Sequence, residues 1–209
     1  MQKVLYKGVD LSHWNGNVNF KTLKQNGVDF AIIKAGGNEG KNYKDSKFIR
    51  YYNDAINAGL HVGAYFFVGK NFTNAKQGVK DAHTFLSQIA GMKFTFPVSL
   101  DLEVTPYSQK NGATEAAIAF CDTLEKEGYY VNIYSSDISG FLQRLNLQKL
   151  AAYDKWVARY GKDPQYVKSY GMWQYSSTGK FPNHKGAFDL DYAFKNYPLI
   201  IKKNGLNGW

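Results

Sequence analysis

Residues 44–68 read KDSKFIRYYNDAINAGLHVGAYFFV, and this stretch predicts a helix followed by a buried strand. Its first half places five apolar side chains on one helical face: Phe48, Tyr51, Tyr52, Ala55 and Ile56. Gly59 is expected to end the helix, because glycine adopts the left-handed conformation that closes many helices. Residues 61–68 then form a short apolar run rich in aromatic side chains, which is typical of a buried strand.

The same unit recurs along the whole chain. Eight runs of strand length lie at residues 4–10, 29–35, 61–68, 96–104, 129–135, 155–159, 171–175 and 187–192. Five helix candidates lie at residues 20–25, 44–58, 73–90, 113–127 and 138–152. Gly27 and Gly128 precede new apolar runs in the same way as Gly59. Because strands that alternate with helices form parallel sheets with right-handed crossovers, the pattern indicates an α/β protein.

The number of strands predicts a barrel, since eight strands suffice to close one. Residues 161–170 and 176–186, which join the last three strands, are too short or too rich in Gly and Pro for full crossover helices. We therefore predict an irregular, incomplete (β/α)8-type barrel with about eight strands and five helices, finishing in antiparallel strands. Residues 1–197 are expected to form this single barrel domain, and residues 198–209 a C-terminal tail or the start of a linker.

The composition limits the functional classes. The 209 residues include 26 Lys and Arg against 17 Asp and Glu, a formal net charge of +9, which suggests a polyanionic partner such as nucleic acid, an anionic membrane or an acidic cell-surface polymer. One cysteine, Cys121, excludes an internal disulfide framework. No apolar run is long enough to cross a bilayer, and residues 1–14 lack the apolar core of a signal peptide. The sequence predicts neither a metal site nor a cofactor.

Polar side chains stand where the predicted strands end, and in a parallel barrel these ends meet at one open face. They are Asp10, Lys34, Tyr65, Asp101, Glu103, Tyr134, Arg159, Gln174 and Asp189. Four carboxylates on one rim are unusual for a chain with a basic surface. Each one taken alone could equally cap a loop or form an ion pair.

Asp101 and Glu103 make the most specific pair, because residues two apart on a strand share a face and start roughly 6–7 Å apart. Two carboxylates in a desolvated setting resist joint ionisation, so the pKa of at least one rises. One acid that donates a proton beside one that stays ionised is what glycosidic cleavage requires. The alternative interpretation is a pair neutralised by Lys34 or Arg159.

Eight motifs occur in the order found in one enzyme family. They are GVDLSHW (8–14), FAIIKA (30–35), GAYFF (63–67), VSLDLE (98–103), YVNIYS (130–135), KWVARYG (155–161), WQYSSTG (173–179) and FDLDYAF (188–194). From Gly8 to about Phe194 the chain resembles glycoside hydrolase family 25, the Chalaropsis-type lysozymes, which include many phage endolysins. The combination of D-x-S-x-W, D-x-E and W-Q-Y is highly specific.

The resemblance implies hydrolysis of the β-1,4 bond between N-acetylmuramic acid and N-acetylglucosamine in peptidoglycan. By motif, Glu103 matches the proton donor, Asp101 its partner acid, and Asp10 and Asp189 two further cleft carboxylates. Contacts to the substrate are expected from Tyr65, Tyr134, Trp14, Lys34, Arg159, Trp173 and Gln174, with Asp191 as a secondary member. In two places the chain departs from the family: Phe66 replaces a usual histidine, and the loop from Gly36 to Gly40 is longer than the usual K-A-T-E-G.

Several alternatives stay open at this stage. A chitinase-like hydrolase would carry a longer run of acids on one strand, and a non-catalytic glycan-binding module would have lost Asp101 or Glu103. A nucleic-acid-binding protein is supported by the charge alone, since the basic residues are dispersed. We expect a monomer that binds glycan strands, holds to anionic wall polymers through its basic surface, and neither binds nucleic acid nor inserts stably into a membrane. Its expected location is the host bacterial cytoplasm before release onto the cell wall.

Overall fold

A computed structural model describes residues 2–209, and a ring of eight strands forms its centre. The described residues form nine strands, of which all but β3 belong to the ring: β1 Tyr6–Leu11, β2 Phe30–Asn38, β3 Asn42–Lys44, β4 His61–Val68, β5 Val98–Leu102, β6 Val131–Ser136, β7 Asp154–Ala158, β8 Met172–Gly179 and β9 Phe188–Ala193. Their order is β1-β9-β8-β7-β6-β5-β4-β2, and β2 pairs with β1 to close the ring. The short β3 lies outside the ring and pairs antiparallel with the end of β2.

The predicted barrel is confirmed, including its antiparallel finish. The ladders from β1 through β2, β4, β5, β6 and β7 to β8 are parallel, whereas β9 pairs antiparallel with both β8 and β1. The sheet closes into a complete ring, but the set of surrounding helices is incomplete, because the connections from β7 to β8 and from β8 to β9 contain no helix. Strand β3 was not predicted, because its three residues lack an alternating apolar pattern.

Five α-helices cover the outside and one end of the ring. They are α1 Phe20–Gln25, α2 Phe48–Asn57, α3 Ala75–Ile89, α4 Lys110–Lys126 and α5 Tyr197–Lys203. The predicted role of glycine is confirmed, since Gly27, Gly59 and Gly128 all have φ between 76° and 83°. Among the helices of residues 2–209, none is both long and apolar enough to cross a membrane.

The helix predicted over residues 138–152 is wrong. The chain forms a π-helical turn over Asp137–Leu142 and a separate 3-10 turn over Leu147–Leu150. Gly140 packs so closely on Ser135 that a Cβ atom would lie 1.9 Å from the Ser135 hydroxyl oxygen. Asn146 then starts the second turn, and its own N–H donates to Thr114 Oγ1 at 2.9 Å. These tertiary contacts override the apolar spacing that predicted one continuous helix.

Alternation along the strands separates two hydrophobic layers. On β5, Val98, Leu100 and Leu102 face the helices and join the large outer core, whereas Ser99 and Asp101 face into the ring. The inner layer is a smaller, mostly aromatic cluster that includes Phe30, Phe96, Tyr134 and Trp156. The interior of the ring is therefore a packed core with polar groups added at one end, as in other barrels.

The segment after β9 packs against the amino-terminal ends of the strands. Tyr197 and Ile201 of α5 are buried in the inner cluster. Asn207 is fully buried, and its side chain donates to Phe96 O at 2.9 Å and accepts from Tyr130 N–H at 2.7 Å. Trp209 Nε1 donates to Phe94 O at 2.9 Å. This end of the ring is thus filled, which leaves the carboxyl ends of the strands as the open face.

Replacing Asn207 with Ala tests this packing. The variant leaves the N–H of Tyr130 and the carbonyl of Phe96 without partners inside the protein, so the free energy of unfolding should fall by about 2–4 kcal/mol. Urea denaturation measures the loss, and the exposed Asn204→Ala on the same segment serves as the control. Equal stability of the two variants would show that the segment does not support the barrel.

Candidate active site

The open face holds a pocket of about 190 Å³ at the carboxyl ends of the strands. It is lined by Asp10, Tyr65, Asp101, Glu103, Tyr134, Trp156, Tyr160, Gln174 and Asp189. Seven of these nine residues were predicted as site residues from the sequence. The other two, Trp156 and Tyr160, come from the motif KWVARYG, and the inward position of Trp156 on β7 could have been found from the alternation of that strand.

Strand register brings the four carboxyl groups together although they are far apart in sequence. Asp10 on β1 pairs directly with Asp189 on β9. Asp101 lies opposite Tyr134 on the neighbouring β6, and Glu103 follows immediately after the end of β5. Because these side chains point inward at the same end of the ring, they share one small volume. The predicted convergence of acids thus follows directly from the topology.

Gln174 connects the polar groups on one side of the pocket. Its Nε2 donates to Asp10 Oδ2 at 2.6 Å, and its Oε1 accepts from the hydroxyls of Tyr134 and Tyr160, both at 2.8 Å. The Gln174 amide nitrogen therefore donates to the Asp10 carboxyl group, and the amide oxygen accepts from the two tyrosine hydroxyls. Since Gln174 is buried, these bonds fix the position of the Asp10 carboxyl and of both tyrosine rings.

Asp191 lies beneath the pocket and contacts it through Asp10. It is fully buried and accepts from Trp156 Nε1 at 2.7 Å through Oδ1. Burial and the nearby Asp10 carboxyl raise the pKa of Asp191 well above its usual range. Asp191 thus positions Asp10 and Trp156 and does not line the pocket itself.

Burial strongly perturbs the ionisation of Asp10. Burial, together with the charge of Asp189, raises the pKa of Asp10 from 3.8 to about 8, although hydrogen bonds from Gln174 and Asp191 oppose the rise. The pKa of Asp189 is also raised, by burial. At neutral pH this side of the pocket therefore retains protons, which limits the mutual repulsion of its acids.

Asp101 and Glu103 form the second acidic pair. Burial, with the Glu103 charge, raises the pKa of Asp101 well above its usual range, while the Lys34 ammonium opposes the rise. Burial likewise raises the pKa of Glu103, against a hydrogen bond with Asp101 and the charges of Lys34 and Arg144. Asp101 is almost wholly buried, whereas Glu103 reaches solvent at the pocket mouth. The outer acid is therefore a protonatable group that an incoming ligand can contact.

Lys34 supplies positive charge next to this pair without forming a close ion pair. Its Nζ lies 4.5 Å from the ring centroid of Phe67, and 5.5 and 5.8 Å from those of Tyr43 and Tyr65. Rings around an ammonium hold it through their electron-rich faces. The cation thereby stays beside Asp101 and Glu103 and offsets part of their desolvation.

Three other predicted contact residues lie outside the pocket. Arg159 forms an ion pair with Asp137 at 2.9 Å, and Trp173 faces outward from β8, where its Nε1 donates to the Arg159 carbonyl at 2.8 Å. Trp14 lines a separate groove beside Asp189. Phe66, which stands where a histidine was expected, faces away from the pocket and packs on Phe85 and Phe120 in the outer core.

The arrangement can carry out proton transfer to a bound ligand. It offers an accessible protonatable acid, Glu103, two residues after a buried acid, Asp101, which lies on a strand of otherwise apolar residues apart from Ser99. Burial raises the pKa of both acids, and a raised carboxyl pKa suits general acid catalysis. Tyrosine hydroxyls and the Gln174 amide add the few well-placed polar groups that orient a ligand.

Comparisons with known proteins agree with this chemistry. The sequence model of the family described as Glycosyl hydrolases family 25 matches residues 9–184. The chain is 30% identical over 192 residues to "Autolytic lysozyme" of Clostridium acetobutylicum, covering 88% of this chain and 55% of that protein. It is 29% identical over 206 residues to "Lysozyme M1" of Streptomyces globisporus, covering 88% and 66%. The chain therefore spans less than two thirds of the length of either relative.

Solved structures show the same architecture. The CTP1L endolysin superposes with a TM-score of 0.81 at 30% identity, covering 95% of this chain and 70% of that one. A bacterial lysozyme from Streptomyces coelicolor superposes with a TM-score of 0.74 at 26% identity, covering 95% and 98%.

The raised pKa of Asp10 predicts a pH-dependent stability. The folded state holds the Asp10 proton up to about pH 8, whereas the unfolded chain releases it near pH 4, so the unfolding free energy falls as pH rises through this window. Asp10→Asn cannot ionise and should escape this loss. Urea denaturation should therefore show that the wild type loses about 1–3 kcal/mol more than Asp10→Asn between pH 5 and pH 8. Parallel curves, like those expected for the exposed Asp163→Asn, would contradict the assignment.

Proposed function

The chain belongs to glycosyl hydrolase family 25, and from this membership we propose that it is a muramidase. The bond it cleaves is the β-1,4 linkage between N-acetylmuramic acid and N-acetylglucosamine, and its site of action is the bacterial cell wall. The names of two relatives, an autolytic lysozyme and lysozyme M1, support this substrate. The resemblance of the motifs at 8–14, 98–103 and 188–194 supports the same reaction.

One observation carries the proposal: four carboxyl groups share a pocket of about 190 Å³ in which burial raises the pKa of each. Burial of several carboxyl groups in one pocket lowers the stability of a fold. An arrangement with this energetic cost therefore indicates a functional site. Glycoside hydrolysis is a reaction that needs a protonated and an ionised carboxyl group side by side. The raised pKa values of the pocket acids favour retention of protons, as this reaction requires.

Glu103 is the proton donor in this proposal. It stands at the pocket mouth, and its raised pKa favours the protonated form that a donor needs. Transfer of its proton to the glycosidic oxygen lets the bond to the anomeric carbon break, and the leaving sugar departs as an alcohol. Where the acetamido oxygen is the nucleophile, the Glu103 carboxylate then takes a proton from the water that opens the cyclic intermediate; where water attacks directly, Asp101 takes that proton as the base.

Asp101 supports the nucleophile on the same side of the strand. The nucleophile is either a water molecule or the acetamido oxygen of the substrate itself, a route suited to N-acetylated sugars. Both routes need an ionised carboxylate beside the reaction centre. Asp101 becomes that carboxylate when Glu103 is protonated, because the repulsion between the two acids is then removed, and Lys34 favours the ionised form.

The remaining pocket residues orient the sugar. Tyr65 and Tyr134 are nearly buried and form the pocket wall, while Tyr160 remains half-exposed at its edge. Gln174 holds Tyr134 and Tyr160 through its amide oxygen. Asp10 and Asp189, on the opposite side from Asp101, are in place to accept hydrogen bonds from sugar hydroxyl or amide groups. Together these groups fix the ring so that the glycosidic oxygen meets Glu103.

The basic surface is proposed to hold the enzyme on its substrate. The net charge of +9 exists although four acids are gathered in the pocket, so the exterior is strongly positive. Bacterial walls with phosphate-rich polymers would attract such a surface over distances set by the ionic strength.

Replacing Glu103 with Gln tests the donor role. Loss of a general acid should lower hydrolysis of purified walls by about 10²–10⁴-fold, while the melting temperature stays unchanged or rises. Borohydride reduction of the wild-type digest should convert muramic acid to its alcohol. Glu115→Gln, an exposed change on α4, is the matched control. Full activity of Glu103→Gln would remove it from this role, and glucosaminitol as the reduced product would indicate a glucosaminidase.

Salt should separate wall attraction from chemistry. Digestion of walls that carry anionic polymers should slow as NaCl rises from 20 to 300 mM, because screening weakens long-range attraction. The rate of digestion of walls stripped of those polymers, measured by the release of reducing ends, should depend much less on salt. Equal salt dependence of the two substrates would rule out a contribution from surface charge.

A further inference from the structure

A further cavity at the same end of the barrel contains none of the residues placed in the reaction above. This cavity, here named the Glu39 cavity, is about 390 Å³ and lies where the chain leaves β2, β4 and β5. It is lined by Glu39, Gly40, Gly69, Lys70, Asn71 and Val104. Glu39 and Gly40 belong to the loop that departs from the family pattern, so this wall of the cavity is not set by the family motifs.

Strand register places the Glu39 cavity close to Glu103. At the ends of β2, β4 and β5, Asn38, Val68 and Leu102 lie side by side. Glu39 and Glu103, the next residues of β2 and β5, therefore leave the sheet at the same level, two strand spacings or roughly 10 Å apart. The residue after Glu103 also lines the cavity. A substituent on the sugar that Glu103 contacts can thus extend into it.

The cavity presents two opposite charges that do not neutralise each other. Glu39 and Lys70 are both exposed, and neither forms an ion pair within residues 2–209. A carboxylate and an ammonium on one cavity can bind a ligand that carries an amine and a carboxylate. Asn71 adds an amide that both donates and accepts, and Val104, 36% exposed, adds an apolar contact. This combination of groups suits a short peptide better than a neutral sugar.

Buried hydrogen bonds hold the loops that form the cavity. Asn38 is buried, accepts from the N–H of Gly40 at 3.0 Å through Oδ1, and donates from Nδ2 to Asp81 Oδ1 at 2.8 Å. Gln77 Nε2 donates to the same Asp81 oxygen at 2.9 Å. The two loops also touch, since a Cβ at Gly69 would lie 2.5 Å from the Asn38 carbonyl oxygen. The walls are therefore fixed in advance, which reduces the ordering that a ligand must impose.

The muramic acid residues of peptidoglycan carry a short peptide on their lactyl group, and this peptide has free carboxylates and, at its diamino residue, an amine. We propose that the Glu39 cavity binds the peptide of the muramic acid at the cleaved bond, with Glu39 contacting the amine and Lys70 a carboxylate. An extended peptide advances about 3.3–3.6 Å per residue, so roughly three residues cover the distance from Glu103 to Glu39. This inference rests on the proposed function, because it concerns a branch of the same substrate.

Binding of a matched pair of ligands tests the proposal. The experiment uses the Glu103→Gln chain, so that cleavage is suppressed, and two octasaccharides of alternating N-acetylglucosamine and N-acetylmuramic acid. The lactyl groups carry an alanyl-glutamyl-lysine tripeptide in one ligand and are capped as methylamides in the other. Calorimetry should show that Lys70→Ala and Glu39→Gln each weaken binding of the tripeptide ligand about two- to tenfold and leave the methylamide ligand unchanged. Lys76→Ala and Glu115→Gln, exposed changes outside the cavity, should affect neither ligand.

Chemical changes to the peptide identify which group each side chain contacts. Acetylation of the lysine amine should weaken binding by the same factor as Glu39→Gln, and Glu39→Gln should then show no further loss, because the contact is already absent. Amidation of the peptide carboxylates should have the corresponding relation to Lys70→Ala.

Two results would overturn the proposal. Equal affinity of the tripeptide and methylamide ligands for the Glu103→Gln chain would show that the peptide is not bound. Equal weakening of both ligands by Lys70→Ala would show that the cavity contacts the glycan or supports the carboxyl pocket. Failure of the wild type to cleave either octasaccharide would count against the proposed function instead, and the difference in binding between the two ligands would still be measurable in that case.

Discussion

The desolvation of clustered acids is the constraint on which this structure depends. Asp10, Asp101, Asp191 and Asp189 are buried or half-buried within one end of a strand ring, and Glu103 stands at its mouth. Such a cluster survives only where protons are retained and where hydrogen bonds and a nearby cation replace water. Gln174, Trp156 and Lys34 meet these needs, each from a different strand. The same desolvation that lowers stability also favours the protonated carboxyl group that the proposed reaction needs.

The apolar packing that stabilises the barrel and the polar groups of the site lie at opposite ends of the barrel axis. At the amino-terminal ends of the strands, Phe30, Phe96 and Tyr197 fill the interior, and Asn207 ties the last segment to β5 and β6. Gly8 makes room for this packing, since a Cβ there would lie 2.3 Å from the Phe30 ring. The apolar end stabilises the ring, so the other end can hold groups that destabilise it.

Much of the fold could be predicted from the sequence, because each element is marked locally. Apolar runs, helical spacing and the positive-φ glycines Gly27, Gly59 and Gly128 identify strands, helices and their ends. The same signals failed over residues 138–152, where close packing of Gly140 on Ser135 breaks a pattern that looks helical. Strand β3 was also not predicted, because it is defined by its pairing with the end of β2 and not by a pattern in its own three residues.

The acids of the site could be predicted from the sequence, but the aromatic residues around them could be predicted less well. Strand ends and the D-x-E spacing indicate where Asp10, Asp101 and Glu103 meet, because parallel register is regular. Asp189 joins them from the start of β9, which runs antiparallel to β1. The direction of an individual side chain depends on strand alternation and loop course. Trp173 on β8 accordingly faces outward, while Trp156 on the preceding strand β7 lines the pocket.

The claim that this pocket holds protons at neutral pH can be measured directly. Side-chain carboxyl carbons labelled with ¹³C and followed by NMR report the titration of each acid, with Asp10→Asn and Glu103→Gln providing the assignments. We predict that Asp10 titrates near pH 8 and that Asp101 and Glu103 titrate above their ordinary range. Titration of all of these groups near pH 4, the value for acids in water, would contradict the account.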